Sequence, residues 1–293
     1  MKQHKANEGS YALVMVTYNR GALLTRILES IKSYRWGYQE FVIVDNNSAD
    51  STAQMLSAFS SQDRVSVLTS SANIGHGAGL ALAFKHIQKL SLLPEFVVFL
   101  EDDSIPDADL ISFLLQRIKN SGYDLLSPAG NKVRLGKREN IRPGADEIVK
   151  ADFCLFDGAI LKYEVIVRVG YPMEDWFMMV DDYEYCTRMR RHGFKLGVIA
   201  NPYHEIMHLG GVGGFTRSTL WRGYYQIRNH VFFLKKHFSL FHLFDFILLQ
   251  GKRTLASATP PDRIFRVRLR LIGLWHGIKG KKGRTLNPET LQF

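Results

Sequence analysis

The sequence predicts an α/β fold, a mostly parallel central sheet flanked by helices, and three observations carry that reading. Short β-rich runs at Tyr11–Thr17, Phe41–Val44, Val65–Leu68 and Phe96–Leu100 alternate with stretches of helical spacing at Gly21–Ser33, Ala53–Phe59 and Gly77–Leu90. Strands joined by helical crossovers pair in parallel. Three of the runs end in polar or acidic text: Thr17-Tyr18-Asn19-Arg20, Asp45-Asn46-Asn47-Ser48 and Glu101-Asp102-Asp103-Ser104. In open sheets of this kind ligands bind beyond the carboxyl ends of the strands.

Residues 121–150 read as loop, with Pro128, Gly130, Gly136, Pro143 and Gly144. An apolar segment around Phe153–Ile160, a helix from about Asp181 to His192 stopped by Gly193, and a strand near Lys195–Ala200 follow. With 293 residues and 46% apolar composition, the chain suits one main domain, 1–235, and a basic, apolar extension, 236–293, expected to be helical and to associate with membrane.

Cys154 and Cys186 are far apart in sequence and lack metal-ligand spacing, which argues against a disulfide framework or a zinc knuckle and for a reducing compartment. The amino terminus lacks the long apolar core of a signal peptide. Val231–Leu249, the most apolar stretch, is interrupted by Lys235, Lys236, His237, His242 and Asp245 and reads as non-spanning.

The net charge of +10 is concentrated late in the chain, where residues 251–284 hold ten Lys or Arg against Asp262 alone. Such a tail suits an anionic membrane, a lipid diphosphate or nucleic acid, or is simply solvated. The near-neutral first 250 residues disfavour nucleic-acid binding. As a helix, the tail gathers Arg263, Arg266 and Arg270 on one side and most apolar residues on the other; as a strand, Phe265–Leu271 alternates equally well.

Glu101-Asp102-Asp103 offers hard oxygen ligands for Mg²⁺ or Mn²⁺ shared with substrate phosphates, or a solvated strand end with Asp107 or Asp109 capping the next helix. Asp181 and Glu184 have the spacing of a capping box, which leaves Asp182, beside the aromatic run from Trp176, as a candidate general base. His204 and His208 share a face if extended; a lone His is more often structural, and His208, beside Gly210–Gly214, is the better metal-ligand candidate. Asn73–Gly79 places glycines at a helix start, where amides can meet a phosphate or merely form a turn. It resembles neither a Walker loop nor a dinucleotide fingerprint.

Taken together, Val16–Arg20, Val44–Thr52, Asn73–Gly75, Leu100–Asp103, Val180–Tyr185, His208–Gly210 and Tyr224–Asn229 resemble, in content and order, the family 2 glycosyltransferases of the nucleotide-diphospho-sugar fold called GT-A. Within that family the bacterial galactofuranosyl and rhamnosyl transferases of cell-surface polysaccharide synthesis are most similar. The resemblance implies inversion at the anomeric carbon with Asp182 as base. It assigns Thr17, Asn19, Arg20, Asp45, Asn73, Glu101, Asp102 and Arg228 to the donor, Asp103 and His208 to Mn²⁺ or Mg²⁺, and Trp176 and Asp181 to the acceptor. Glu101 stands where the family usually has Asp. The implied donor is a UDP- or dTDP-linked sugar, and the implied acceptor a saccharide, free or linked to polyprenyl diphosphate. The implied location is cytoplasmic, peripheral on the inner face of the membrane. Two other classes remain open: a nucleotidyltransferase, although its glycine-rich, basic first loop is absent, and a non-enzymatic basic binding protein.

Overall fold

A computed structural model describes residues 9–206, 219–259 and 262–293. Its first half follows the alternation read from the sequence: β1 (Tyr11–Thr17), α1 (Gly21–Tyr34), β2 (Glu40–Asp45), α2 (Thr52–Phe59), β3 (Val65–Thr69), α3 (His76–Ile87) and β4 (Phe96–Glu101). β1 pairs in parallel with both β2 and β4, and β2 with β3. The register sets Thr17 beside Asp45 and Val16 beside Glu101, so the polar strand ends share one edge. Strand order reverses at β1, with β2 and β3 on one side and β4 on the other, and such a reversal opens a crevice at that edge.

The second half contains β5 (Ser104–Pro106), α4 (Leu110–Lys119), β6 (Leu125–Ser127), β7 (Gly130–Arg134), β8 (Lys137–Asn140), β9 (Ile148–Lys150), β10 (Phe153–Cys154), β11 (Ile160–Lys162), α5 (Tyr163–Val169), α6 (Asp181–Arg191), β12 (Leu196–Ile199) and β13 (His204–Ile206). The main sheet runs β3-β2-β1-β4-β11-β6-β12-β9. β11 is antiparallel to β4 and β6, and β9 to β12, so the sheet is parallel in its first half and mixed in its second. The region 121–150, expected as loop, instead forms four strands of three to five residues, too short for alternation to show in the sequence.

Alternate residues of the central strands feed two cores. Val14, Val44 and Phe99 pack with Phe84 of α3 and Ile166 of α5. Leu13, Ile43 and Val98 pack with Leu24 of α1, Leu56 of α2 and Leu114 of α4. Covered on both faces, the sheet presents only its edge to ligands. The two cysteines, distant in sequence, meet in the first core as free buried thiols, the Cys154 N–H donating to Cys186 Sγ at 3.4 Å.

Three helices complete the chain: α7 (Leu220–Lys236), α8 (Leu240–Ser257) and α9 (Arg263–Lys279). The apolar stretch Val231–Leu249 is broken between α7 and α8, and among the described residues no helix is long and apolar enough to cross a membrane. The basic tail is helical. α9 crosses α7 so closely that a Cβ on Gly273 would lie 2.5 Å from the Tyr224 carbonyl oxygen.

The expected helix with Arg263, Arg266 and Arg270 as its charged side, opposite the apolar residues, is not what forms. Arg266 and Arg270 are buried, held by Asp262 and by Gln250 with Thr254, while Ile264, Leu271, Trp275 and Ile278 face outward. The chain then folds back: Gly283 N–H donates to the Asp175 carbonyl at 2.7 Å and the Tyr225 hydroxyl to that of Leu286 at 2.6 Å.

Candidate active site

At the switch point lies a cavity of about 380 Å³, bordered by Thr17, Arg20, Asn46 and Asn73 and by the acidic triplet Glu101, Asp102 and Asp103. Trp221 and Arg222 of α7 and Arg284 and Glu289 of the returning C-terminus close it. Asp102 accepts from the Tyr18 N–H and from Arg20 Nε, both at 3.3 Å. Burial raises its pKa against the pull of Arg20, and the charge of Glu101 adds to the rise, bringing it to about 6.

Asn19 and Asp45 stand behind this wall. Asp45 Oδ1 accepts from the Ser48 N–H at 3.0 Å and its hydroxyl at 2.6 Å, while Asn19 Oδ1 accepts from the Ala49 N–H at 2.8 Å. They lock two loops in which Asn19 and Asn47 adopt φ of 53° and 64°, a left-handed conformation that Asn tolerates well. Asn73 Oδ1 accepts from the Gly75 N–H at 3.1 Å.

A second cavity, about 420 Å³, shares His76, Glu101 and Met178 with the first, so the two meet at that point. Asp181, Asp182 and Tyr183 of α6 line it, with Phe153, Leu155, Gln226 and Leu249. His76 bridges the acids, its Nε2 3.3 Å from Glu101 Oε1 and its Nδ1 3.2 Å from Asp181 Oδ2. Burial disfavours the imidazolium, but the charges of Glu101 and Asp181 and their bonds to the ring outweigh it, holding His76 well above the usual histidine pKa.

Asp182 is pushed well above the usual carboxylate range by burial and then by the charge of Asp181, with His76 opposing. Among the described residues its buried Oδ1 has no hydrogen-bond partner, nor has Asn46 Oδ1 in the first cavity. His76, Asp181 and Asp182 also present potential ligand atoms that lie within 4.8 Å of one another.

The entry to α6 differs from a capping box. Val180 is the N-cap, with φ 71° and no side-chain cap bond; Asp181 is the first helical residue and its carboxylate turns to His76. Glu184 is buried instead against Arg188 Nε at 2.9 Å and His237 Nε2 at 3.0 Å, tying α6 to the end of α7.

Phe177 and Met179 share the left-handed backbone of Val180, a conformation that costs about 1–3 kcal/mol per residue and persists only when neighbours over-determine it. Asn229 supplies that bracing, with Nδ2 at 2.8, 2.7 and 3.0 Å from the carbonyl oxygens of Trp176, Met178 and Met179. Arg228, fully buried, donates to the carbonyls of Trp176 and Gly283, each at 2.7 Å. From the other side the His76 N–H donates to the Phe177 carbonyl at 3.1 Å. A Cβ on Gly75, at φ 88°, would come within 1.9 Å of that oxygen, so only glycine permits the approach.

Thr17, Arg20, Asn73, Glu101, Asp102, Asp103, Asp181 and Asp182 are therefore gathered on two joined cavities. Arg228 and Trp176 lie in the packing beneath the loop, the Trp176 ring on Phe232 at 5.9 Å. His208 and Gly210–Gly214 lie outside the described residues. His76 escaped sequence reasoning as a side chain, although its place after Gly75 at a helix start was a usable signal. Arg138, Arg222, Arg253 and Arg284 carried none, because distant segments bring them to the site.

A parallel half-sheet with acidic strand ends at its switch point, joined to a second cavity lined by a carboxylate whose Oδ1 no described residue hydrogen-bonds, defines a GT-A glycosyltransferase fold. Solved structures share it: S. aureus TarS residues 1–349 at TM-score 0.55 and 15% identity, covering 93% of this chain and 92% of that one. GalNAc-T7 with UDP, GalNAc and Mn²⁺ aligns at TM-score 0.64 and 13% identity, covering 93% and 56%. The mannosyltransferase PcManGT of Pyrobaculum calidifontis with GDP-Man and Mn²⁺ aligns at 0.54 and 15%, covering 92% and 87%. The chain belongs to glycosyl transferase family 2, whose model matches residues 12–168. It is 25% identical over 183 residues to the low-salt glycan biosynthesis hexosyltransferase Agl10 of Haloferax volcanii, a match spanning 55% of this chain and about half, 56%, of that relative.

Proposed function

We propose that the chain moves a sugar from a nucleotide diphosphate donor to an acceptor hydroxyl with inversion, the donor in the first cavity and the acceptor in the second. Galactofuranose or rhamnose on UDP or dTDP is the favoured donor, by the sequence resemblance, and a saccharide the acceptor. The observation that carries the reading is the meeting of the two cavities at Glu101 and His76, with Asp182 offering an unsatisfied carboxylate oxygen on the acceptor side. A carboxylate with raised proton affinity is a better base once ionised. Asp182 takes the hydroxyl proton, the oxygen attacks the anomeric carbon, and the nucleotide diphosphate departs from the opposite face.

A divalent cation such as Mn²⁺ or Mg²⁺, when bound, would supply charge neutralisation to the departing diphosphate. Glu101 and Asp103, hard oxygen donors on the donor cavity, fit such an ion. The Mn²⁺ held by PcManGT and GalNAc-T7 supports this assignment.

Peripheral attachment to an anionic membrane belongs to the same reading. Leu240, Phe244, Ile247 and Leu255 form an outward apolar stripe on α8, and Ile264, Leu271, Trp275 and Ile278 one on α9. The exposed Lys252, Arg263, Arg268, Lys279, Lys281 and Lys282 accompany them, which selects an anionic lipid surface as the occupant.

The test is a screen of nucleotide sugars for hydrolysis and thermal stabilisation with and without Mn²⁺ or Mg²⁺. One nucleoside diphosphate sugar should both stabilise the protein and release nucleoside diphosphate, and Asp103→Ala should abolish the metal-dependent part. Release of pyrophosphate, or metal-independent stabilisation equal in both proteins, would sink the assignment.

A further inference from the structure

The acceptor cavity has a basic side that the transfer chemistry leaves unused. Arg138 of β8 and Arg253 of α8 both line it. Arg138 is committed, its Nη1 and Nη2 donating to the two oxygens of Asp245 at 2.9 and 2.7 Å. The Gly136 N–H completes the buried Asp245 at 2.9 Å. No acceptor among the described residues hydrogen-bonds the Arg253 guanidinium, although Arg253 lies on the inward side of α8, four and eight residues beyond Leu249 and Asp245.

Arg253 is half-buried and feels the charge of Asp245, but among the described residues no anion hydrogen-bonds it, so a ligand anion can complete it. Burial and the charge of Arg138 lower Arg253 to about 10, which leaves it cationic at neutral pH. His230, also on the cavity, adds no charge: its Nδ1 accepts from Gln250 Nε2 at 2.8 Å, and burial together with Arg138 lowers its pKa to about 3. Arg253 is thus the cation of this wall that lacks a hydrogen-bonded partner among the described residues, on a cavity lined by Phe153, Leu155 and Leu249 as well as by the acids Glu101, Asp181 and Asp182.

We propose that Arg253, with Arg138 beside it, binds a phosphate group carried by the acceptor, so that this enzyme glycosylates a phosphate ester and not a neutral glycan. The inference rests on the transferase reading above. A guanidinium fork matches phosphate oxygens in geometry as well as charge. The ester has two available sources, a water-soluble glycosyl phosphate or a lipid phosphate entering along α8, and the chemistry at Arg253 is shared by both.

The full chain, with and without saturating UDP and Mn²⁺, is titrated with glucose 1-phosphate, with its neutral counterpart methyl glucoside, and with dodecyl phosphate below its micellar concentration. At least one phosphate ester should bind the wild type well above methyl glucoside. Arg253→Gln should weaken that binding on the order of tenfold, as expected for loss of a charged hydrogen bond, and Arg253→Lys should restore part of it. Preference for dodecyl phosphate identifies a lipid source, and preference for glucose 1-phosphate a soluble one. Unchanged UDP affinity in both variants certifies the fold. Binding of neither ester, or equal binding by wild type and Arg253→Gln, overturns the proposal. Failure of UDP to bind the wild type would count against the donor reading alone, because the ester titrations without UDP are scored independently.

Discussion

The cavity proposed for the donor and the one proposed for the acceptor, here the donor side and the acceptor side, are built on different principles. The donor side is a strand-edge site: Thr17, Asn46 and Glu101 to Asp103 come from the ends of three neighbouring strands whose apolar bodies are fixed in the core. The acceptor side is a propped site. Asp181 and Asp182 stand at the start of a helix entered through left-handed Phe177, Met179 and Val180, and its other walls come from β8, α7 and α8. Strand ends need no support beyond the sheet, whereas a strained loop stays in place only while its neighbours hold it. Chemistry on the acceptor side is consequently the more exposed to substitutions at a distance.

The comparison breaks first at Asp182. Asp182→Asn preserves shape and removes the proposed base, so turnover should fall by a factor on the order of 10² or more while donor binding, measured by UDP titration, stays within about twofold. Lost donor affinity with normal turnover per bound donor would show that the two sides are not separable and that Asp182 is structural.

Legibility in the sequence divides along the same line. β1, β2 and β4 hold six or seven residues each and alternate with helices, so their order and their polar ends could be read directly. The acidic triplet needed nothing else to be found. Strands β6 to β11 hold two to five residues, too few for a period of two to stand out, and the fold of 121–150 was missed. The Asp181–Glu184 spacing misled because capping-box logic assumes an ordinary helix entry, and Val180 supplies a left-handed one. Arg266 and Arg270 read as part of one charged helix side because their partners lie on other segments or a turn away, at Asp262, Gln250 and Thr254.

Asn229 sharpens the comparison next. Asn229→Ala leaves three carbonyls without their shared donor beneath the loop, and unsatisfied buried polar groups cost about 1–3 kcal/mol each. Stability by urea unfolding should drop by about 3 kcal/mol, and turnover should fall further than UDP affinity because Asp182 loses its placement. Asn19→Ala, which removes one exposed-loop bond on the donor side, should cost about 1 kcal/mol. Equal losses for the two variants would erase the distinction between a propped and a strand-edge site.

The smallest expected effect is attachment of the α8–α9 side to membranes. Ile264 is 81% exposed and Trp275 55%, while Arg266 and Arg270 are buried, the reverse of a soluble helix that keeps its charges outside. Neither an apolar stripe nor a basic cluster alone anchors a protein firmly; together they give reversible binding. Each apolar side chain inserted contributes about 1.5–3 kcal/mol at full burial, and each Lys or Arg near an anionic surface about 1 kcal/mol. Screening falls mainly on the second contribution, so the full chain should float with anionic liposomes at low salt, weaken at high salt, and bind neutral liposomes poorly. Ile264→Glu with Leu271→Glu should abolish flotation at both salts, whereas Lys281→Ala with Lys282→Ala should weaken it at low salt and change it little at high salt. UDP binding should be unchanged in both double variants, because none of these four side chains lines the donor cavity. Equal flotation by all three proteins would remove the membrane from the reading. Concentration-dependent sedimentation that the Glu pair abolishes, without flotation, would reassign the apolar stripe to contact between two copies of the chain.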